Sequence, residues 1–129
     1  LAKTDFGLIG MSVCYDVRFP YLYRTLAHQG AQILTVPAAF TVPTGEMHWE
    51  TLLRARAIEN GAFVIAPAQC GDHGNGRKTY GHSLIIDPWG KILAEGGDHP
   101  GIIYADLDMG EVDRFRSSIP SLAHERVVD

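Results

Sequence analysis

The sequence predicts an α/β fold, and three observations support that prediction. Three apolar segments, residues 6–13, 31–37 and 62–68, are typical of strands buried on both faces, because they lack the alternation of a half-exposed strand. Helical patterns separate them, which is the arrangement of crossover units in a parallel sheet. Beyond residue 80 the apolar segments become shorter and are joined by tight turns, which indicates hairpins.

The first crossover unit covers residues 6–37. Its helix is predicted to begin at Pro20, because the first helical turn needs no N–H from proline. The helix runs to about Gln29, and Gly30 is a typical C-terminal stop.

The second helix is predicted over residues 46–60, where apolar side chains recur near the 3.6-residue period. Residues 38–45 are then a loop, Thr44 or Gly45 caps the helix, and Gly61 ends it. Its charged side chains are expected to form a helix face that makes ion pairs with neighbouring segments; they are Arg54, Arg56 and Glu59.

The second half of the chain is predicted to contain short strands after a glycine-rich polar loop. A final short helix and a polar tail follow. The loop covers residues 71–80, the strands cover residues 83–87, 91–95 and 102–107, and the helix covers residues 110–117.

Composition excludes several classes of protein. The 129 residues suffice for one domain, and a net charge of −4 argues against a nucleic-acid partner. No apolar run reaches the roughly 18 residues that cross a bilayer. Two cysteines are too few for a disulfide scaffold, and no pair among the six histidines has the helical spacing of metal ligands. We therefore expect a cytoplasmic protein with no metal and no cofactor.

Cys14 is the candidate nucleophile because it lies where a buried strand ends and a helix is about to begin. Such an elbow exposes a side chain among free backbone N–H groups, which favour a thiolate and an oxyanion. The alternative is a buried structural thiol. Cys70 also follows a strand, but no neighbouring residue suggests activation, and we expect it to be a packing residue.

Side chains near Cys14 in sequence are candidates for substrate binding. Arg18 could bind an anionic group through two hydrogen bonds, and Phe40 and Thr44 could lie at the same mouth. The alternatives are local ion pairing for Arg18, packing for Phe40 and turn chemistry for Thr44. Asp16 is open between an ion pair and backbone hydrogen bonds that hold the elbow.

Seven blocks in order along the chain resemble the nitrilase superfamily of carbon–nitrogen hydrolases. The block around Cys14 is similar to that family's nucleophile signature, and two later blocks look most like its Nit branch, in particular the deaminated glutathione amidases. The blocks are CYDVRFP (14–20), AFTVPTG (39–45), HWE (48–50), LRARAIEN (53–60), QCG (69–71), YGHS (80–83) and DPWG (87–90).

The resemblance implies a four-layer α-β-β-α sandwich that dimerises and a thioester formed at Cys14. It implies that Arg18, Phe40 and Thr44 line the acyl pocket, with Arg18 facing a substrate carboxylate, and that the backbone N–H of Tyr15 contributes to the oxyanion hole. The implied substrate is deaminated glutathione or a similar 2-oxo acid amide. The alternative is the ω-amidase reaction on α-ketoglutaramate.

The sequence departs from the family in two ways. The family's glutamate base and lysine lie well upstream of the cysteine, whereas only thirteen residues precede Cys14 and the first glutamate is Glu46. Tyr21 also stands where glutamate is common. We therefore expect a C-terminal part of the domain that is inactive alone and needs the N-terminal half. The alternative function is a non-catalytic interaction or dimerisation module; a redox protein is disfavoured because there is no Cys-x-x-Cys.

Overall fold

The computed structural model describes residues 1–126, and in that range it shows a six-stranded mixed sheet, a two-stranded hairpin and three α-helices. The end of the predicted polar tail, residues 127–129, lies outside the described residues. The elements are β1 (Ala2–Thr4), β2 (Gly7–Met11), a 3-10 helix (Cys14–Arg18), α1 (Pro20–His28), β3 (Ile33–Thr35), α2 (Val42–Asn60), β4 (Phe63–Ala66), β5 (Cys70–Asp72), β6 (Lys78–Tyr80), β7 (Leu84–Ile86), β8 (Ile92–Glu95) and α3 (Gly110–Ser118).

The large sheet confirms both predicted types of connection. Its strand order is β1-β2-β3-β4-β7-β8, and β2, β3 and β4 run parallel, so the crossover from β2 through α1 to β3 is as predicted. β7 and β8 run antiparallel about a tight turn. In that turn Asp87 Oδ1 accepts hydrogen bonds from the backbone N–H groups of Trp89 and Lys91 at 2.8 and 2.9 Å.

Helix α2 begins four residues earlier than predicted, and its N-cap is Thr41 rather than Thr44 or Gly45. Pro43 lies in the first helical turn, where a missing N–H costs little, so the proline that suggested a loop is compatible with the helix. Gly45 is buried, and a Cβ there would lie 2.2 Å from Cγ of Tyr80. This glycine therefore marks a close approach of the Tyr80 ring and does not mark a loop.

Three other predictions of local structure were wrong. Residues 71–80 contain the β5–β6 hairpin, which is polar in sequence because most of it is exposed. Residues 102–107 alternate in exposure as a strand does but form no ladder. No strand was predicted before residue 6, whereas residues 2–4 form β1, which pairs with β2. Whether each of these segments forms a strand depends on whether another strand lies alongside it to complete the hydrogen bonds.

The main core lies between one face of the large sheet and helices α1 and α2, where Tyr23, Trp49 and Leu53 are fully buried. Because alternate residues of a strand point to opposite faces, Val64 joins this core and Phe63 joins a smaller one on the other face. Val112 of α3, together with Leu107 and Met109 before it, packs against that second face. The 3-10 helix that starts at Cys14 lies between the end of β2 and α2.

Candidate active site

The backbone holds Cys14 in an unusual conformation at the end of β2. Its φ angle is 49°, in the left-handed region that residues other than glycine seldom occupy. The Cys14 N–H donates to Pro37 O at 2.8 Å, and the Ser12 N–H donates to Thr35 O at 3.1 Å, so the end of β3 and the residues after it fix this segment. A strained residue that its surroundings hold in place is typical of functional sites.

Asp16 stabilises the turn that follows Cys14. Its carboxylate accepts a hydrogen bond from the Val13 N–H at 2.9 Å, and its own N–H donates to Val13 O at 3.0 Å. Of the two interpretations left open by the sequence, the structure therefore selects backbone hydrogen bonds. Between these groups the Tyr15 N–H finds no acceptor among residues 1–126, so it is available to an external oxygen.

Cys14 is a free, half-buried thiol that lines a cavity of about 540 Å³. Cys70 is also free and half-buried, but it lines a neighbouring cavity of about 630 Å³ and pairs with Tyr80 across the β5–β6 hairpin. Only Cys14 combines a thiol with the strained elbow. The remaining lining of the first cavity consists of Val13, Pro37, Ala38, Ala39, Pro67, Ala68, Gln69, Ser83 and Gly101.

The structure brings Arg18 and Phe40 together. The Arg18 guanidinium lies over two aromatic rings, 5.4 Å from the centroid of Tyr15 and 5.3 Å from that of Phe40. Both distances are within the range of cation–π attraction. Arg18 Nη1 also lies 3.3 Å from Nδ1 of His48, a residue of α2 that sequence reasoning placed in the HWE block but did not assign to the substrate site.

Phe40 is a buried platform, and Thr44 lies one helical turn from His48. Phe40 is 6% exposed, and its ring centroid lies 4.8 Å from that of Trp49. The Trp49 indole in turn donates to His82 O at 2.7 Å, which fixes the platform. Thr44 Oγ1 lies 2.9 Å from Thr41 Oγ1. Being four residues apart on α2, Thr44 and His48 share a helix face.

Arg56 anchors the 3-10 helix to α2, and sequence reasoning missed this role. Its side chain is buried, its Nε donates to Val17 O at 3.0 Å, and its Nη1 donates to both carboxylate oxygens of Glu59 at 3.2 and 3.0 Å. The prediction of ion pairs with other segments was wrong, because Arg54 and Arg56 pair with glutamates of α2 itself. The sequence did contain a signal for the pair within α2, because residues three positions apart, such as Arg56 and Glu59, are neighbours on a helix surface.

Behind Cys14, a buried tyrosine ties β2 to α1. The Tyr23 hydroxyl lies 2.6 Å from Ser12 Oγ, which donates to Thr35 O at 2.9 Å. Burial raises the pKa of Tyr23 from its ordinary value of 10.0 to about 12, against the opposing effect of the hydrogen bond with Ser12. This hydroxyl therefore remains protonated at neutral pH and serves to position β2.

Other classes of site find little support in the described part of the chain. Among residues 1–126, no three His, Cys, Asp or Glu side chains are grouped as metal ligands would be. In the same range no helix combines the length and apolar character needed to span a bilayer.

The profile of the carbon–nitrogen hydrolase family matches residues 1–117, and the chain belongs to this family. A curated relative from Synechocystis, called deaminated glutathione amidase, is 56% identical over 122 residues, which is 95% of this chain and 45% of the relative. The chain thus spans less than half the length of that relative. Since residues 1–117 cover all seven blocks, the resemblance to the nitrilase superfamily is confirmed.

Two solved structures show the same fold. The Caenorhabditis elegans NitFhit protein superposes with a TM-score of 0.89 at 48% identity, over 92% of this chain and 29% of that one. A mutant amidase from Nesterenkonia, which carries the acetamide moiety of fluoroacetamide covalently at its active-site cysteine, superposes with a TM-score of 0.71 at 34% identity, over 85% of this chain and 41% of that one. The chain therefore has part of the nitrilase α/β fold.

Proposed function

We propose that this chain carries the nucleophile and acyl-binding residues of a cysteine amidase, with Cys14 as the attacking group. The observation that supports this most strongly is the free Cys14 thiol, held at a positive φ at the end of β2 and facing a cavity. The Nesterenkonia amidase carries the acetamide moiety of fluoroacetamide on its active-site cysteine, so the corresponding thiol of a relative acts as a nucleophile.

The proposed reaction has two covalent steps. A base removes the Cys14 proton, the sulfur bonds to the amide carbon, and the C–N bond breaks so that ammonia or an amine leaves with a proton. Water then hydrolyses the thioester and releases a carboxylic acid. The Tyr15 N–H stabilises the oxyanion, an interaction worth about 3–4 kcal/mol per donor in measured cases. The base and a lysine come from a segment upstream of Cys14 in the complete protein.

The proposed substrate is a small 2-oxo acid amide with a carboxylate on its acyl part. None of Arg18, Phe40 and Thr44 lines the cavity that the nucleophile faces, so we propose that they form a separate part of the acyl pocket. Arg18 binds the carboxylate there, and Phe40 and Thr44 line the pocket wall. Deaminated glutathione is the preferred substrate, in keeping with the name of the Synechocystis relative. Hydrolysis of α-ketoglutaramate is the alternative, since both amides place a keto group and a carboxylate near the scissile bond.

A steady-state assay of the complete protein with both amides tests this proposal. We expect release of the acid and the amine, loss of turnover in Cys14→Ala, and near-normal turnover in the matched variant Cys70→Ala. The 129-residue chain alone is expected to show no turnover. Full activity of Cys14→Ala, or turnover by the isolated chain, would contradict the proposal.

A non-catalytic role is the second candidate, and the exposed apolar residues at the end of β2 favour it. Met11 is 57% exposed and Val13 is 58% exposed. A surface of this kind is suited to an interface, either with the N-terminal half of the domain or within a homodimer. Light scattering and intact mass of the purified material, together with the amide assay, distinguish the catalytic role from the non-catalytic one. A bound partner polypeptide in material that has no amidase activity would favour the non-catalytic role.

A further inference from the structure

The guanidinium of Arg18 is held on three sides and has an open edge. The rings of Tyr15 and Phe40 contact it, and His48 Nδ1 lies at Nη1. A guanidinium has five N–H donors. Among residues 1–126 no carboxylate or carbonyl oxygen accepts a hydrogen bond from Arg18, so most of its donors remain available to a ligand.

The contact with His48 defines both the tautomer of the imidazole and the free edge of the guanidinium. Arginine has no acceptor atom, so in this hydrogen bond Arg18 Nη1 donates and His48 Nδ1 accepts, which places the imidazole proton on Nε2. His48 engages Nη1, and among residues 1–126 neither Nε nor Nη2 of Arg18 donates a hydrogen bond, so the edge that they form is open. That edge has the geometry that binds a carboxylate through two parallel hydrogen bonds.

This contact is not needed to attach the 3-10 helix to α2. Arg56 already joins the two elements through its hydrogen bond to Val17 O. His48 is exposed and Arg18 is half-buried, and exposed polar contacts of this kind contribute little to stability. The effect of His48 therefore falls on the orientation of Arg18.

We infer that His48 is a positioning residue for the substrate carboxylate, acting through Arg18. The inference rests on the proposed function and adds a specificity determinant to it. By fixing the plane of the guanidinium before substrate arrives, His48 lowers the entropic cost of binding an amide whose acyl part carries a carboxylate. An amide without that carboxylate gains no such benefit.

Two substitutions separate this role from simple packing. His48→Leu removes the acceptor, and we expect the KM of the complete protein for a 2-oxo acid amide to rise about fivefold with kcat unchanged. His48→Asn retains an acceptor near the position of Nδ1 and should restore KM to within about twofold of the original. His28→Leu, on α1, is the matched control and should leave KM unchanged.

A double-mutant cycle and a neutral substrate complete the kinetic test. In an Arg18→Met background His48→Leu should add no further increase in KM, because the interaction is already absent. For an aliphatic amide without a carboxylate, His48→Leu should have no effect. An unchanged KM in His48→Leu, failure of His48→Asn to rescue, additive effects with Arg18→Met, or an equal effect on both amides would each overturn the inference.

A binding measurement separates this inference from the proposed function. In the Cys14→Ala variant, calorimetry with 2-oxoglutarate should show a Kd about fivefold weaker when His48→Leu is added. If the original complete protein hydrolyses neither amide, but binding of 2-oxoglutarate to the Cys14→Ala variant depends on His48, the proposed function is removed and the positioning role is retained. Amide hydrolysis with binding that is insensitive to His48 would do the reverse, and the absence of both would overturn both.

Discussion

Arg18 follows Val17 in the chain and Arg56 donates a hydrogen bond to Val17 O, and the two arginines show how one residue type serves two purposes in the same region. Both guanidinium groups lie over aromatic rings, Arg18 over Tyr15 and Phe40, and Arg56 over a ring of α1 at 5.6 Å. The difference lies in their hydrogen bonds.

Arg56 is buried and donates hydrogen bonds to partners within the protein, whereas Arg18 is half-buried and among residues 1–126 has a hydrogen-bond contact only with His48. A buried charge must be paired, because leaving it unpaired costs several kcal/mol. A partly exposed charge can remain open, since water or a ligand satisfies it. The comparison therefore distinguishes an arginine that maintains the site from one that is free to bind a ligand.

The largest expected effect is the loss of stability in Arg56→Met. Val17 O and the carboxylate of Glu59 would lose their donor, and we expect the free energy of unfolding of the complete protein to fall by about 3 kcal/mol. Urea unfolding measures the change. Arg54→Met is the matched control on the same helix: it loses an exposed ion pair with Glu50 and one hydrogen bond from Nε to Gly90 O, so the loss should stay near about 1 kcal/mol. An equal loss of unfolding free energy in Arg56→Met and Arg54→Met would show that the buried arginine contributes no more to stability than the exposed one.

The next effect is a change in binding without a change in stability. Arg18→Met should raise KM for an anionic amide by about thirtyfold, equivalent to about 2 kcal/mol for charge-assisted hydrogen bonds. Its free energy of unfolding should stay within about 0.5 kcal/mol of the original. Arg77→Met, in the exposed β5–β6 hairpin, controls for loss of a positive charge. An unchanged KM in Arg18→Met would show that Arg18 is a structural residue like Arg56.

The smallest effect concerns the tyrosine beneath Arg56 and depends on pH. Tyr23 titrates near its ordinary value of 10.0 in the unfolded chain and at about 12 in the folded protein, so the unfolded state loses its proton first. The stabilisation is therefore complete below pH 10 and declines as pH rises towards 12.

Tyr23→Phe removes that alkaline decline along with one hydrogen bond to Ser12. We expect it to be about 1 kcal/mol less stable than the original at neutral pH, with the difference narrowing above pH 10. Unfolding measured between neutral and alkaline pH gives the two curves. A difference that stays constant across this range would show that Tyr23 ionises equally in both states.

The sequence was sufficient for features that depend on local pattern. The apolar segment before Cys14, the proline at the start of α1 and Gly30 after it predicted the crossover unit and its helix boundaries, and Gly61 predicted the end of α2. The C-terminal residue of α2 is followed by Gly61, whose φ of 53° is the left-handed conformation expected of such a stop. These features need no knowledge of distant contacts.

The remaining features depend on contacts between distant residues. Gly45 resembles a loop residue until the ring of Tyr80 is placed against it. Arg54 and Arg56 have the same local pattern, yet only the second is buried, because the 3-10 helix packs on that face of α2. The contact of Arg18 with His48 likewise joins residues thirty positions apart. A single sequence carries no direct signal for such pairs.

Covalent labelling tests the central claim most directly. The complete protein is treated with fluoroacetamide, and the labelled peptides are then identified by mass spectrometry. The account predicts one acetamide adduct, on Cys14, which is lost in Cys14→Ala and present in Cys70→Ala. An unlabelled Cys14, or an adduct found on Cys70 instead, would contradict the assignment of Cys14 as the nucleophile.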